Sequence, residues 1–101
     1  MDMELLEQKA GEVADVLRAL ANKRRLLILC KLAEQGEANV SSLADAVGLS
    51  QSALSQHLAR MRAEAIVSTR RESQTIYYRI ADQRIAAIME ALYRTYCAPG
   101  Q

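Results

Sequence analysis

The stretch that decides the fold is VSSLADAVGLSQSALSQHL, residues 40–58. Its first half predicts a short helix that is capped by Ser41 or Ser42 and ended by Gly48, because hydroxyl side chains cap helix starts and glycine commonly follows helix ends. Ser50 is a good cap for a second helix. Only three residues separate the two helices, and this spacing is typical of a helix-turn-helix.

The second helix of the pair extends from Gln51 to about Ala63, so the helix-turn-helix covers about residues 41–63. Its apolar residues share one stripe and leave a face rich in serine and glutamine. Alone, such a face is as typical of a solvated helix as of a DNA-binding one. After a short helix it suits base edges in the major groove, where helix-turn-helix proteins place their second helix. The residues expected to contact DNA from this helix are Gln51, Ser52, Ser55, Gln56 and Arg62.

A β-hairpin of the wing type is predicted over about residues 65–80. Its two segments, Ile66 to Arg71 and Thr75 to Ile80, are rich in β-branched and aromatic residues, and residues 72–74 form the tip between them. Alternation along the second segment predicts one buried strand face. The residues of that face are Ile76, Tyr78 and Ile80.

The charges are segregated along the chain, although the formal net charge is only +1. Residues 1–20 carry a net charge of −3 and residues 51–80 a net charge of +3, and every cation in the second segment is an arginine. Arginine suits phosphates and base edges. We therefore expect Arg70 and Arg71, near the hairpin end, to contact a phosphate or the minor groove. The basic run at residues 23–25 is as typical of a solvated helix start as of a DNA contact.

Three further helices complete the chain. The first, at about 4–20, and the last, at about 82–97 before Pro99-Gly100, are amphipathic. Another, from Lys23 to about Glu34, is apolar nearly all round at its centre and is expected to be buried. The element order is α-α-α-α-β-β-α. Because 101 residues are too few for a second core, the sequence predicts one mainly α winged helix-turn-helix domain over 1–101.

Composition and motifs exclude several classes of protein. Half of the residues are hydrophobic and a quarter are charged, as in an ordinary folded domain. The longest apolar run, Leu26 to Cys30, is too short to cross a membrane and the acidic start is no signal peptide, so we expect a cytoplasmic protein with no membrane partner. No catalytic motif predicts an enzyme. The lone His57 and two distant cysteines predict no metal site and no cofactor.

The two cysteines, Cys30 and Cys97, leave two interpretations open. In the first, Cys30 is a small core residue of an apolar helix and Cys97 is a bystander near the end of the last helix. In the second, the two thiols are adjacent in space and are bridged by an oxidant or by sulfane sulfur. Their spacing in the sequence does not decide between these interpretations.

Three stretches, ALANKRRLLIL at 19–29, GLSQSALSQHL at 48–58 and YRI at 78–80, resemble the ArsR/SmtB family of bacterial winged helix-turn-helix repressors. The resemblance runs over about residues 13–96. It implies a homodimer that is joined through the first and last helices. Such a dimer reads an inverted-repeat operator in double-stranded DNA with two recognition helices and two wings.

The resemblance also implies what the protein senses. The thiol-rich motif of some members is absent from residues 40–45, and the last-helix zinc motif begins with Asp82 but has Arg84 where its first histidine belongs, so metal sensing is disfavoured. Cysteines placed like Cys30 and Cys97 are similar to those of a branch that responds to persulfides. The implied redox-sensing pair closes through a disulfide or polysulfide bridge, so a persulfide or polysulfide inducer releases the DNA.

Other functions stay open at this point. One is a winged-helix regulator that senses a metal or no ligand, and another is a winged-helix module that docks on a second protein. A thiol oxidoreductase is the least favoured, because no motif predicts one. Salt-linked affinity for duplex DNA separates a regulator from a docking module.

Overall fold

The structure is a computed structural model that describes residues 1–97. Over these residues the chain forms five helices and one three-stranded antiparallel sheet. In chain order the elements are α1 (Met3–Leu20), α2 (Lys23–Gln35), β1 (Ala38–Asn39), α3 (Val40–Val47), α4 (Gln51–Ala63), β2 (Val67–Glu72), β3 (Thr75–Ile80) and α5 (Gln83–Tyr96). The predicted mainly α fold with a β-hairpin wing is confirmed. Pro99-Gly100, expected to follow the last helix, lies outside the described residues.

Every helix of the described chain begins at a side chain that accepts a hydrogen bond from a backbone N–H in its first turn. These caps are Asp2, Asn22, Asn39, Ser50 and Asp82. For α3 the predicted cap is wrong, because Asn39 caps this helix in place of Ser41 or Ser42. Its Oδ1 accepts a hydrogen bond from the backbone N–H of Ser42 at 2.8 Å. Asparagine caps helices as well as serine does, and this one also ends β1, so α3 begins directly after a strand.

The sheet contains one strand more than the sequence predicts. β1 has two residues and pairs with β3 at Tyr77 and Tyr78, which gives the strand order β1-β3-β2. So short a strand has no periodicity to detect. The predicted buried face of β3 is only partly right, since Tyr78 and Ile80 are partly buried. Ile76 is exposed because it lies opposite Arg71 near the hairpin tip, where the adjoining residues of β2 are exposed as well.

The hydrophobic core includes one face of α2. The expectation that α2 is buried is only partly right, because Ile28, Leu29 and Leu32 are buried whereas Leu27 at the centre of the helix is exposed. Helices α3 and α5 pack against α2, and α4 joins the same core through α3 and β2. Each fully buried aliphatic side chain stabilises the fold by about 1.5–3 kcal/mol. The most deeply buried side chains are Ile28, Leu29, Leu32, Leu43, Leu54, Leu58, Met61, Ile85 and Met89. The core thus fixes α4 relative to α2 and α5.

Helix α1 stands apart from this core. Of its 18 residues only Leu20 is buried, and four other apolar side chains of the helix are 41–52% exposed. These exposed side chains are Leu5, Leu6, Val13 and Leu17. An ion pair between Glu12 and Arg84 connects the middle of α1 to the start of α5. Within residues 1–97, no helix is long and apolar enough to cross a lipid bilayer.

Candidate nucleic-acid interface and cysteine pair

The turn between α3 and α4 has a defined backbone geometry. Gly48 lies in the left-handed region at φ +69°, where a residue with a Cβ is strained, and its backbone N–H donates to the carbonyl of Ala44. Ser50 then caps α4 by accepting a hydrogen bond at its Oγ from the backbone N–H of Ala53 at 3.1 Å. The hydrogen bonds that end α3 and begin α4 therefore fix the angle between the two helices.

Helix α4 separates a buried stripe from an exposed polar face. Leu54, Leu58 and Met61 are completely buried, and this anchors the helix on the core. All five residues that the sequence assigns to DNA contact from this helix are exposed. The structure therefore brings the predicted DNA-contacting residues Gln51, Ser52, Ser55, Gln56 and Arg62 to the surface of one helix.

The two arginines near the tip of the wing differ in their surroundings. The Arg71 side chain is exposed and has no ion-pair or hydrogen-bond partner among residues 1–97. Arg70, in contrast, donates hydrogen bonds to Glu37 at 2.5 and 3.3 Å and to Glu72 at 3.1 Å. Its guanidinium also lies 4.8 Å from the centre of the Tyr77 ring, within the range of a cation–π contact. Of these two arginines, Arg71 is thus the one that is free to meet a phosphate.

The ion pairs of Arg70 brace the wing against the segment before β1. Hydrogen bonding to Arg70 lowers the pKa of the Glu37 carboxyl below its usual value, and the two carboxylates raise the pKa of Arg70 further. Glu37 and Arg70 therefore both stay charged at neutral pH. Sequence reasoning missed Glu37, because 33 residues separate it from Arg70 and no local pattern joins them.

A second brace joins the ends of three helices. The Arg25 guanidinium donates to both carboxylate oxygens of Glu64, at 2.6 and 3.3 Å, and to the carbonyl of Ala19 at 3.3 Å. Arg25 lies in the first turn of α2, Glu64 caps the end of α4, and Ala19 is in the last turn of α1. This bidentate pair lowers the pKa of the Glu64 carboxyl. Arg25 therefore connects α1 to α4 and is not a free cation at the surface.

His57 is partly buried beside the apolar stripe of α4 and lines a surface groove of about 430 Å³ between α1 and α4. Arg18, Arg25 and Arg60 line the same groove. Over residues 1–97, no group of three or more His, Cys, Asp and Glu side chains comes together in an arrangement that could hold a metal ion. Asp15 and Glu64 line the groove as well, so the surroundings of His57 are polar and contain charges of both signs.

The two cysteines lie on the facing helices α2 and α5. Cys30 is partly buried and packs against the core from α2, whereas Cys97 is exposed and caps the C-terminal end of α5. Burial raises the pKa of the Cys30 thiol most, and the Cys97 and Glu34 charges raise it further. The fold thus brings the two helices that carry these cysteines together although 67 positions separate the two residues in the sequence.

A cavity of about 410 Å³ opens beside Cys30 between α2 and α5. Met89 and the Tyr93 ring form part of its wall, and two carboxylate side chains, Glu34 and Glu90, also line it. This volume lies within the range of about 300–1,000 Å³ that is usual for small-molecule sites. A small reagent can reach Cys30 through this space.

The described chain combines a short helix, a fixed turn and a second helix with an exposed polar face, followed by a β-hairpin that carries an unpaired arginine near its tip. This combination defines a winged helix-turn-helix DNA-binding protein. The family described as bacterial regulatory protein, arsR family, matches residues 22–69. The chain belongs to this ArsR family.

Individual relatives agree with this assignment over nearly the whole chain. The chain is 42% identical over 101 residues to the transcriptional activator HlyU of Vibrio cholerae serotype O1, which covers all of this chain and 93% of HlyU. It is 45% identical over 96 residues to the biofilm growth-associated repressor of Agrobacterium fabrum, covering 95% of this chain and 81% of the repressor.

The fold of a solved relative agrees as well. The crystal structure of HlyU from Vibrio vulnificus CMCP6 matches with a TM-score of 0.87 and 43% identity, over 96% of this chain and all of that one. The relatives are transcriptional regulators and not enzymes. The chain is accordingly a DNA-binding transcriptional regulator of the ArsR family.

Proposed function

We propose that the chain acts as a dimeric repressor, which binds an inverted-repeat operator while its thiols are reduced and leaves the DNA when Cys30 and Cys97 become bridged. The observation that carries this proposal is the position of the two cysteines, Cys30 on α2 and Cys97 at the end of α5, because these two helices pack against each other. The Cys97 charge is also among the causes of the raised pKa of Cys30. A bridge between these positions joins a core helix to the last helix.

The proposed DNA contacts are the exposed face of α4 and the wing. Serine and glutamine side chains on α4 suit direct readout of base edges. Arg71 adds a phosphate contact that increases affinity for every sequence. The role expected for Arg70 is indirect, because its guanidinium already pairs with Glu37 and Glu72 and therefore holds the wing in place.

The proposed dimer rests on apolar surface that the isolated chain leaves exposed. Leu6, Val13 and Leu17 of α1 are 41–51% exposed, and Tyr93 and Tyr96 of α5 are also exposed. Contiguous apolar surface of this kind marks interaction sites. A two-fold dimer through α1 and α5 covers it and sets the two α4 helices about one DNA turn apart, about 34–36 Å.

The proposed chemistry begins at Cys97, because this thiol is exposed whereas burial disfavours the thiolate of Cys30. The Cys97 thiolate attacks the outer sulfur of a persulfide RS–SH, the donor S–S bond breaks, and RS⁻ leaves, so Cys97 carries –S–SH. The Cys30 thiolate, its proton released to solvent, then attacks the Cys97 Sγ. This step forms the Cys30–Cys97 disulfide and expels HS⁻.

A longer bridge forms when Cys97 already carries its persulfide and a second donor molecule persulfidates Cys30 before the disulfide closes. The Cys30 persulfide loses its proton to solvent, and its terminal sulfur attacks the Cys97 Sγ and expels HS⁻. The product is a trisulfide between Cys30 and Cys97. Either bridge restrains α5 relative to α2 and thereby changes the spacing of the two α4 helices. A hundredfold loss of operator affinity needs about 2.7 kcal/mol of coupling, within the usual allosteric range.

The test combines mass spectrometry with DNA binding. A duplex is first selected from a random-sequence library with anaerobically reduced protein. Glutathione persulfide is then expected to link the Cys30 and Cys97 peptides and to release this duplex, and Cys30→Ser and Cys97→Ser variants are expected to bind the duplex normally and to keep it. Hydrogen peroxide serves as the oxidant without sulfane sulfur. Release of DNA from the Cys97→Ser variant by persulfide contradicts the proposed pairing.

Metal sensing is the second candidate, and one observation favours it. The antimony-specific transcriptional repressor AntR is 35% identical to this chain, with a TM-score of 0.78 over 87% of it. Within residues 1–97, however, the acidic and thiol side chains do not group as a metal site requires. Release of the selected duplex by antimonite, with Cys30 and Cys97 unbridged, would favour this candidate over persulfide sensing.

A further inference from the structure

The cavity beside Cys30 has an acidic wall. Among its lining residues, Glu34 and Glu90 are the carboxylates, and the others apart from Cys30 and Tyr93 are alanine or methionine. Glu34 comes from α2 and Glu90 from α5, so the two negative charges lie on helices at both sides of the opening. A molecule that enters toward Cys30 therefore passes between two carboxylates.

The cations that pair with these two carboxylates are not part of the cavity lining. Lys31 pairs with Glu34 at 2.9 Å and Arg94 approaches Glu90 at 3.9 Å, but neither cation lines the cavity. The Glu34 charge is also among the causes of the raised pKa of Cys30, after burial and the Cys97 charge. Both carboxylates are more than half exposed, so solvent and salt screen their effect.

We propose that this cavity selects sulfane-sulfur donors by charge, so that Cys30 accepts sulfur from small persulfides with an uncharged or cationic carrier and reacts slowly with those whose carrier is anionic. The proposal rests on the proposed function and names the donor class that the site takes. Glutathione persulfide, whose carrier is bulky and has a net negative charge, belongs to the slow class at Cys30.

Cys97 gives an internal contrast. Its sulfur is exposed and does not line the cavity, whereas Cys30 does. An anionic donor approaching Cys97 does not have to pass between Glu34 and Glu90. Charge selection is therefore expected at Cys30 and is expected to be weak at Cys97.

The experiment uses three donors of similar size and different charge. The persulfides of cysteamine, 2-mercaptoethanol and 3-mercaptopropionate have cationic, neutral and anionic carriers. Their rates of persulfidation of Cys30 are measured by mass spectrometry in a Cys97→Ser variant, and those of Cys97 in a Cys30→Ser variant. At low ionic strength Cys30 is expected to react about three- to tenfold faster with the cationic than with the anionic donor. Salt at 1 M, where the Debye length is about 3 Å, is expected to abolish this ratio.

Charge variants show whether the two carboxylates cause the selection. In the Cys97→Ser background, Glu34→Gln with Glu90→Gln is expected to bring the rate ratio at Cys30 close to one. The matched control is Glu4→Gln with Asp45→Asn, which changes the net charge equally at exposed positions that do not line the cavity. This control is expected to keep the ratio of the parent. A ratio near one in the parent, or a ratio that survives removal of both carboxylates, overturns the proposal.

The outcomes separate this proposal from the proposed function. If the neutral donor bridges Cys30 and Cys97 in the unmodified chain but donor charge has no effect at Cys30, charge selection alone is wrong. If no donor modifies Cys30 in the Cys97→Ser variant, the cavity does not admit donors and the proposal fails, even where bridging proceeds through Cys97. If no donor produces a bridge in the unmodified chain, persulfide sensing is wrong and the donor preference with it.

Discussion

The apolar stripe of α4 is buried within the chain, whereas that of α1 is exposed. Three side chains of α4, Leu54, Leu58 and Met61, are fully buried in the core, and the polar face that remains is the one predicted to meet DNA. The longer α1 buries only Leu20 and leaves most of its apolar residues at the surface. The apolar stripe of α4 is therefore covered within the chain, whereas that of α1 is not.

This difference shows which of the two helices a single chain holds in position by its own core. The position of α4 follows from contacts within the chain, so a single subunit already presents its polar face correctly. The position of α1 depends on its last two turns, on the bond of Arg25 to the Ala19 carbonyl and on the ion pair of Glu12 with Arg84. Its apolar stripe is covered only in the proposed dimer. Single-residue changes in the two helices are therefore expected to affect different measurements.

The largest expected effect is a loss of stability from Leu58→Ala. Leu58 is completely buried, and truncating such a leucine costs about 2–5 kcal/mol because it leaves a cavity. Urea unfolding followed by circular dichroism, at one fixed protein concentration, measures this loss. Leu27→Ala is the matched control, since Leu27 is 41% exposed, and its effect is expected to stay within about 0.5 kcal/mol. Equal losses in the two variants would show that burial within the chain does not hold α4.

A charge on the exposed stripe of α1 is expected to weaken the dimer and leave the fold intact. Leu6→Glu places an unpaired carboxylate in the proposed interface, so the dimer dissociation constant is expected to rise tenfold or more, equivalent to about 1.4 kcal/mol. Analytical ultracentrifugation measures this change, and circular dichroism checks the helix content. Gln8→Glu adds the same charge to the same helix and is expected to change the constant little. A Leu6→Glu protein that dimerises as well as the parent contradicts an interface through α1.

The smallest expected effect concerns the ion pair of Arg25 with Glu64, which joins the start of α2 to the end of α4. Glu64→Gln removes the ion pair with Arg25 and is expected to cost less than about 1 kcal/mol, because Glu64 is nearly half exposed. The pKa of this carboxyl is held below its ordinary value of 4.5. The ion pair therefore stabilises the fold above about pH 4.5 and is lost as the pH falls through the lowered pKa.

Thermal unfolding from pH 7 down to pH 3 tests this dependence. The difference between the parent and Glu64→Gln is expected to shrink toward the acid end, where the parent carboxyl becomes protonated. Glu7→Gln, at an exposed position in α1, is the control and is expected to unfold like the parent throughout. A difference that does not change with pH would mean that the pair with Arg25 is not its cause.

Local signals predicted most of the fold. Ser50 and Gly48 defined the turn, and the bounds predicted for α4 and β3 agree with the structure because caps and residue preferences act within a few residues. Those of α2 differ by one residue at its C-terminal end, and those of β2 differ by one residue at both ends. The exposure of the predicted DNA-contacting residues followed from the helical periodicity alone, while their contact with DNA remains a prediction.

Contacts between residues that are far apart in the sequence were not predictable from local patterns. The partners in the braces of Arg25 and Arg70 are 39 and 33 residues away in the sequence, so no local pattern joins them. The packing of α2, which carries Cys30, against α5, which ends at Cys97, was left open for the same reason. Ile76 was misplaced because alternation assigns a strand face but does not show how far the core extends along the strand.

The contrast between Arg70 and Arg71 has a consequence for conformational entropy. An arginine that becomes ordered loses up to about 2 kcal/mol of side-chain freedom. Arg70, fixed by Glu37, Glu72 and the Tyr77 ring, has lost this freedom when the chain folds, so DNA binding does not restrict it again. In the proposed complex, Arg71 keeps its freedom until it meets a phosphate and gives up part of the contact energy on ordering. One arginine of this pair would then be ordered by folding and the other by the DNA.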